Sequence, residues 1–205
     1  MGKAEREEEE FMIEKAEQTV TSPTRAKRPA VIDLTVIALV TAITCILAPL
    51  SIPIVISPVP VTLTNLVLYL SLYILKTRKA LISYLIYLML GLVGLPVFSG
   101  FSGGLGKLAG PTGGYLVGFI FMILVAGPLV ERARGKIWLQ IAGLILGTAV
   151  CYAFGTVWLA VQMKISIPAG LAMGVLPYLP GDGAKMILAA LTGQEIAKRI
   201  KAAQM

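Results

Sequence analysis

The feature that most constrains the fold of this chain is its division into six long apolar blocks, separated by charged or by glycine- and proline-rich segments. Each block holds roughly 15–25 residues, close to the ~20 helical residues that cross a ~30 Å hydrocarbon layer. Hydrophobic residues make up 57% of the chain and charged residues 14%, which is too apolar for an ordinary soluble domain. The sequence therefore predicts an all-α integral membrane protein, with blocks at Val31–Leu50, Val61–Leu75, Ala80–Leu95, Gly113–Val130, Ile137–Val161 and Ala184–Ile200.

Lysine and arginine alternate between rich and poor connections along the chain. The poor connections hold only Lys107 and Lys164, and short loops rich in basic residues stay in the cytoplasm. This alternation predicts six membrane-spanning helices with both termini in the cytoplasm and three sparsely charged outer loops. It also accounts for the net charge of +7 without nucleic-acid binding. The basic clusters are Arg25, Lys27 and Arg28; Lys76, Arg78 and Lys79; Arg132, Arg134 and Lys136; and Lys198, Arg199 and Lys201.

The chain divides by composition into a polar tail, residues 1–29, and a six-helix membrane domain, residues 30–205. The tail carries the glutamate run Glu7–Glu10 and no apolar stretch followed by a small-residue cleavage site, so we expect weak order and no removable signal. Histidine is absent, and Cys45 and Cys151 both lie inside apolar blocks. These features favour neither a metal site nor a disulfide, and they lower the odds of hydrolytic chemistry.

The predicted outer loops are unusual in composition. Residues 49–62 hold four prolines and no charge, which indicates extended or turning chain, and residues 94–106 and 110–115 are rich in glycine. Irregular backbone beside a bilayer persists only where protein or a watery cavity satisfies its polar groups. The loops therefore suggest a lid over a pocket, although flexible loops with glycines in tight turns are an alternative.

Asp182 and Lys185 lie at the start of the last apolar block, three residues apart, on one face if a helix begins there. Ionisable residues bordering a span usually face the bundle interior or a cavity, which favours a ligand-binding role. The alternatives are that Asp182 caps the helix and that Lys185 reaches the outer headgroups. The position of this segment on the same predicted side as the unusual loops favours the binding role.

Ala38 and Ala42 lie four residues apart in the first block, in a stripe of small residues that another helix could approach closely. On the residues alone, packing within the bundle is the favoured interpretation of this stripe.

Four motifs together resemble the BioY family, the biotin-binding S components of prokaryotic energy-coupling-factor (ECF) transporters. The resemblance runs from about Val31 to Ile200, and the motifs occur in the family's order and spacing. They are Pro58-Val-Pro-Val-Thr-Leu63, Gly94-Leu-Pro-Val-Phe98, Gly110-Pro-Thr-Gly-Gly-Tyr115, and Pro180-Gly-Asp182 with Lys185.

The resemblance implies capture of biotin at the outer face of the cell membrane, with uptake energised by two separate ATPase subunits and one transmembrane coupling protein. It implies neither catalysis nor a cofactor. It also implies that the Ala38/Ala42 stripe is the surface that docks on the coupling protein. An Asn ligand known from some members has no counterpart near Gly100 and Phe101, and Asn65 is a candidate replacement. The implied ligand-binding residues are Thr62, Asn65, Phe98, Gly100, Phe101, Gly113, Gly114, Tyr115, Asp182 and Lys185.

Three other functions are alternatives to biotin capture. An S component for another vitamin is not excluded by residue chemistry. An intramembrane enzyme would need a nucleophile and a base, which Asp182 and Lys185 alone do not supply. A purely structural membrane protein would not need uncharged, glycine-rich loops gathered on one face.

Overall fold

The structure is a computed structural model that describes residues 11–13, 15, 28–55, 57–133 and 135–203. Most of the tail that was predicted to be weakly ordered lies outside these residues. Arg25, Lys27 and Arg134 of the basic clusters also lie outside them. The chain divides into two compact units, residues 1–36 and 37–205. Every contact described below lies within the second unit.

The described chain is mostly helical, with a two-stranded sheet between its first and second helices in the sequence. The elements are α1 (Arg28–Leu47), β1 (Ser51–Ile54), β2 (Ser57–Thr62), α2 (Thr64–Ile74), α3 (Lys76–Leu92), α4 (Leu105–Ala109), α5 (Gly113–Arg132), α6 (Ile137–Met163), α7 (Ile167–Gly174) and α8 (Leu179–Ala203).

Each predicted apolar block lies largely within one helix, α1, α2, α3, α5, α6 or α8. Among the described residues, two helices, α5 and α6, are both long enough and apolar enough to cross a membrane. Helix α2 has 11 residues, short of the ~20 that a perpendicular crossing needs. The helical class is therefore confirmed, whereas six crossings and their orientation stay predictions.

The first proline-rich loop is a β-hairpin, which corrects the purely α-helical fold class. Strands β1 and β2 are antiparallel, with Ser51 opposite Thr62 and an irregularity between Ile52 and Ile54. Proline fits a two-stranded ribbon because each strand has a free edge that needs no N–H donor. The prediction of extended or turning chain was right about the backbone but did not foresee the strand pairing.

Helix packing relies on glycines and on a few polar contacts between helices. A Cβ at Gly127 of α5 would lie 2.3 Å from Thr77 Oγ1 of α3, so only glycine allows this approach. Thr41 of α1 and Ser83 of α3 share a hydrogen bond of 2.9 Å between their hydroxyls. Small residues and hydroxyl pairs are the usual means by which helices pack in a membrane.

The glycine-rich loop after α3 is anchored by Phe98. This side chain has no exposed surface, and its ring meets the Tyr87 ring edge-on at 5.6 Å between centroids. A Cβ at Gly91 would lie 2.1 Å from the Phe98 ring, so that glycine provides the space for it. The loop is thus fixed to the bundle by an aromatic anchor, despite its glycine content.

Candidate ligand-binding site

One cavity, open in part to solvent, is lined by residues of β2 and of helices α2, α3, α5, α6, α7 and α8. It encloses about 740 Å³ of empty space, a volume that includes open solvent at its mouth. Six of its 19 lining residues are aromatic, and the wall also carries a polar cluster formed by Asp182, Lys185 and Tyr152. The lining residues are Val59, Pro60, Thr62, Thr64, Asn65, Tyr69, Tyr87, Ser99, Thr112, Tyr115, Leu116, Phe119, Thr148, Cys151, Tyr152, Gly174, Tyr178, Asp182 and Lys185.

Asp182 is the carboxylate of the polar cluster. Helix α8 begins at Leu179, so Asp182 lies within the first turn and its backbone N–H bonds to the Tyr178 carbonyl. Its Oδ2 accepts a hydrogen bond of 2.5 Å from the Tyr152 hydroxyl, and its Oδ1 lies 3.0 Å from Lys185 Nζ. The side chain therefore faces the bundle rather than capping the helix, which removes the alternative role.

Lys185 joins three parts of the fold. Its ammonium donates to the Thr62 carbonyl at 2.8 Å, to Asn65 Oδ1 at 3.0 Å and to Asp182 Oδ1 at 3.0 Å. Its side chain is 14% exposed, so it does not reach outward to headgroups. Because a buried ammonium needs acceptors for all of its donors, Lys185 ties the end of β2 and the start of α2 to α8.

Tyr178 connects the same hairpin strand to the segment before α8. Its hydroxyl donates to the Val59 carbonyl and lies 2.8 Å from Ser57 Oγ. Tyr178 and Lys185 therefore hold β2 near its two ends. The hairpin owes its place over the cavity to these contacts, because an isolated two-stranded ribbon is at best marginally stable.

Tyr115 forms the opposite wall and depends on glycines around it. Its hydroxyl donates to the Gly174 carbonyl at 3.1 Å, and a Cβ at Gly155 would lie 2.3 Å from its ring. The neighbouring Gly114 faces Trp158, whose Nε1 donates to the Gly110 carbonyl at 3.0 Å. The glycine-rich segment before α5 is thus held by α6.

The structure brings five of the predicted ligand-binding residues together on the cavity wall: Thr62, Asn65, Tyr115, Asp182 and Lys185. It does not bring the other five to the wall. Phe98 is buried inside the bundle, whereas Gly100 and Phe101 are exposed, Phe101 to 65%. Gly113 and Gly114 instead serve packing, because a Cβ at either would lie within 2.2 Å of a neighbouring atom. Glycine content predicted contact with a ligand here, but the close approach is to Leu108 and Trp158.

Sequence reasoning missed Tyr69 of α2 and the residues that α6 contributes to the wall. Tyr152 and Thr148 lie one turn apart on α6, and the Thr148 hydroxyl bonds to the Tyr69 hydroxyl of α2 at 2.8 Å. Polar side chains at helical spacing within an apolar block usually face the bundle interior, and this signal could have identified them. Among the described residues, no group of His, Cys, Asp and Glu side chains could hold a metal ion.

The chain is similar to known proteins over most of its length. A family model described as "BioY family" matches residues 16–202. The biotin transporter BioY of Thermotoga maritima is 37% identical over 161 residues, which cover 78% of this chain and 90% of that protein. The biotin transporter BioY of Rhizobium etli is 37% identical over 175 residues, covering 80% and 92%.

A solved structure extends the similarity to the fold. The crystal structure of the S-component for biotin from an ECF-type ABC transporter matches with a TM-score of 0.78 and 30% identity, covering 86% of this chain and 95% of that one. The family expected from the sequence motifs is confirmed by a match that spans nearly all of the described chain. This chain belongs to the BioY family.

Proposed function

We propose that this chain is the substrate-binding S component of an ECF-type transporter and that it captures biotin at the outer face of the prokaryotic cell membrane. The observation that carries the proposal is the polar cluster of Asp182, Lys185 and Tyr152 in a cavity that also carries several aromatic side chains. That cavity lies in a chain whose relatives are named biotin transporters. The chain itself catalyses no reaction.

The cavity suits the chemistry of biotin. The ureido ring offers two N–H donors, and a buried carboxylate such as that of Asp182 is a strong acceptor for them. The bicycle with its sulfur is apolar and suits the five tyrosine rings and Phe119 on the wall. Thr62, Asn65 and Tyr115 complete the proposed site, because all three line the same cavity.

The proposed topology has six membrane-spanning helices with both termini in the cytoplasm. It is supported by the alternation of basic clusters, since Lys and Arg in short loops favour the cytoplasmic side. Single cysteines at Lys107 and Lys164 should react with an impermeant maleimide from outside the cell, and cysteines at Arg78 and Lys198 should not. Equal labelling at all four positions would contradict the proposed orientation.

The proposed partners are a transmembrane coupling protein and two ATPase subunits. Ala38 and Ala42 are exposed on α1, so their small side chains are available for close helix contact. We expect Ala42→Leu to reduce co-purification with co-expressed partners while biotin binding persists. Ala153→Leu is the matched control, because Ala153 is also an exposed alanine, on α6. Equal co-purification of both variants would refute docking at α1.

The experiment that tests the function is binding of labelled biotin to the purified full chain, after co-purified ligand has been removed. We expect tight binding by the wild type and strong weakening in Asp182→Ala and Lys185→Ala variants that remain folded. If the folded wild type does not bind biotin, the function is wrong, and a panel of other vitamins becomes the next test.

A further inference from the structure

Two side-chain hydrogen bonds join α6 to α8, one at the cavity and one far from it. At the cavity, the Tyr152 hydroxyl donates to Asp182 Oδ2 at 2.5 Å. Toward the other end of the two helices, Gln194 Nε2 donates to Gln140 Oε1 at 2.6 Å. Among the described residues, no further side-chain hydrogen bond links these helices. Neither glutamine lines the cavity, so the proposed ligand site gives no reason for this pair.

The two bonds have the same register. Tyr152 lies 12 residues after Gln140 on α6, and Gln194 lies 12 residues after Asp182 on α8. The numbering rises along one helix where it falls along the other, so the helices are antiparallel. With a rise of about 1.5 Å per residue, the bonds are about 18 Å apart on each helix. Equal spacing on both helices means that one relative position of α6 and α8 satisfies both bonds at once.

Between the two bonds, the side chains at four-residue spacing form no hydrogen bond from one helix to the other. They are Leu144 and Thr148 on α6 and Met186 and Ala190 on α8, and all four are buried. The Thr148 hydroxyl bonds to Tyr69 of α2 instead. Apolar contacts are non-directional, so they tolerate a small shift of one helix along the other better than a hydrogen bond does.

The glutamine pair is buried deeply enough to penalise such a shift. Gln140 is 5% exposed, and Gln194 is half-buried. A buried amide that loses its partner pays the cost of desolvation without compensation. A single buried polar side chain fixes the register of coiled-coil helices for this reason. A shift of α8 along α6 would break the bond between the glutamines and leave the Gln140 amide unpaired.

We propose that the Gln140–Gln194 pair fixes the register of α6 and α8, and that it thereby holds the Tyr152 hydroxyl against Asp182 from the far end of the two helices. Gln140 and Gln194 are positioning residues, because neither lies at the cavity. The inference rests on the proposed function, since it makes ligand affinity depend on a pair of residues about 18 Å from the polar cluster.

The test is a double-mutant cycle in biotin affinity, measured on the purified full chain. Gln140→Leu removes the bond and leaves an apolar side chain of similar size. We expect affinity to fall about three- to tenfold, and no further than in Tyr152→Phe, because the effect passes through the Tyr152 hydroxyl. In the Tyr152→Phe background, Gln140→Leu should change affinity less than about twofold. Unchanged affinity in Gln140→Leu, or additive effects in the cycle, would overturn the proposal.

Thr41→Val is the matched control for a general loss of helix packing. It removes a buried hydrogen bond between helices, to the Ser83 hydroxyl at 2.9 Å, and α1 contributes nothing to the cavity wall. We expect Thr41→Val to lower the melting temperature and to change biotin affinity less than about twofold. If it weakens biotin as much as Gln140→Leu does, and is equally non-additive with Tyr152→Phe, register is not the cause.

Two more variants separate the bond from the stability of the fold. Gln140→Glu keeps an oxygen that accepts from Gln194 Nε2 whether or not the carboxyl is protonated, so affinity should stay within about threefold of the wild type. A loss equal to that in Gln140→Leu would count against the proposal. If Gln140→Leu does not fold, Gln194→Leu removes the same bond at the half-buried partner and takes its place in the cycle.

The wild type is measured beside every variant. Absent binding of biotin by the folded wild type refutes the proposed function. Tight binding by the wild type with an additive cycle refutes only the role of the glutamine pair.

Discussion

Tyr152→Phe isolates the hydroxyl that holds the Asp182 carboxylate. The substitution removes one oxygen and leaves the ring in place, so it creates almost no cavity. In the wild type this hydroxyl donates to Asp182 Oδ2 at 2.5 Å, while Lys185 occupies Oδ1. Without it, Oδ2 has one partner fewer, and the carboxylate gains freedom to rotate away from the ligand.

The magnitude follows from the strength of that hydrogen bond. A hydrogen bond to a charged group contributes about 1.5–3 kcal/mol. A carboxylate that rotates to bond to a different partner can therefore gain no more than this amount. Restoring the binding orientation can therefore cost no more than about 3 kcal/mol, or about 100-fold in affinity. We expect a loss of about tenfold, measured by titration calorimetry with biotin in detergent.

Two comparisons make this prediction refutable. Tyr73→Phe also removes a tyrosine hydroxyl, but this one has no hydrogen-bond partner among the described residues and is absent from the cavity wall, so biotin affinity should not change. In a double-mutant cycle with Asp182→Asn, Tyr152→Phe should have little further effect if it acts through the carboxylate. Unchanged affinity in Tyr152→Phe, or full additivity in the cycle, would show that the reasoning is wrong.

Three further changes test the architecture of the site. Gly155→Ala places a methyl group 2.3 Å from the Tyr115 ring and should lower the free energy of unfolding by about 1–3 kcal/mol in a thermal melt, unlike Gly106→Ala, whose Cβ meets nothing within 4 Å. Phe98→Ala should lower it by about 3–5 kcal/mol because the ring is fully buried, whereas a similar loss in the 65% exposed Phe101→Ala would argue against Phe98 as the loop anchor. Tyr178→Phe should speed dissociation of labelled biotin about fivefold, as expected from the loss of about 1 kcal/mol in hydrogen bonding to the hairpin. An unchanged dissociation rate would show that this hydroxyl does not hold the hairpin over the ligand.

The sequence by itself determined the helical class, the approximate positions of the long helices and the family. These properties follow from local or additive features, since a block of apolar residues favours a helix wherever it lies in a membrane protein. Asp182 and Lys185 were also identified from the sequence, because ionisable residues beside an apolar block are costly unless they have partners. Thr62 and Tyr115 came from motifs and Asn65 from the absence of an Asn near Gly100, and all three line the cavity.

Only the tertiary structure decided which side chains share the cavity and what each one faces. The partner of Asp182 is Tyr152, 30 residues away, and the Lys185 partners Thr62 and Asn65 are 123 and 120 residues away. In the sequence, Gly113 and Gly114 look the same whether they face a ligand or another helix. In the structure they face Leu108 and Trp158. The hairpin and the saturation of the Lys185 donors likewise depend on contacts between distant segments. Such contacts are set by packing in three dimensions, which local residue patterns do not encode.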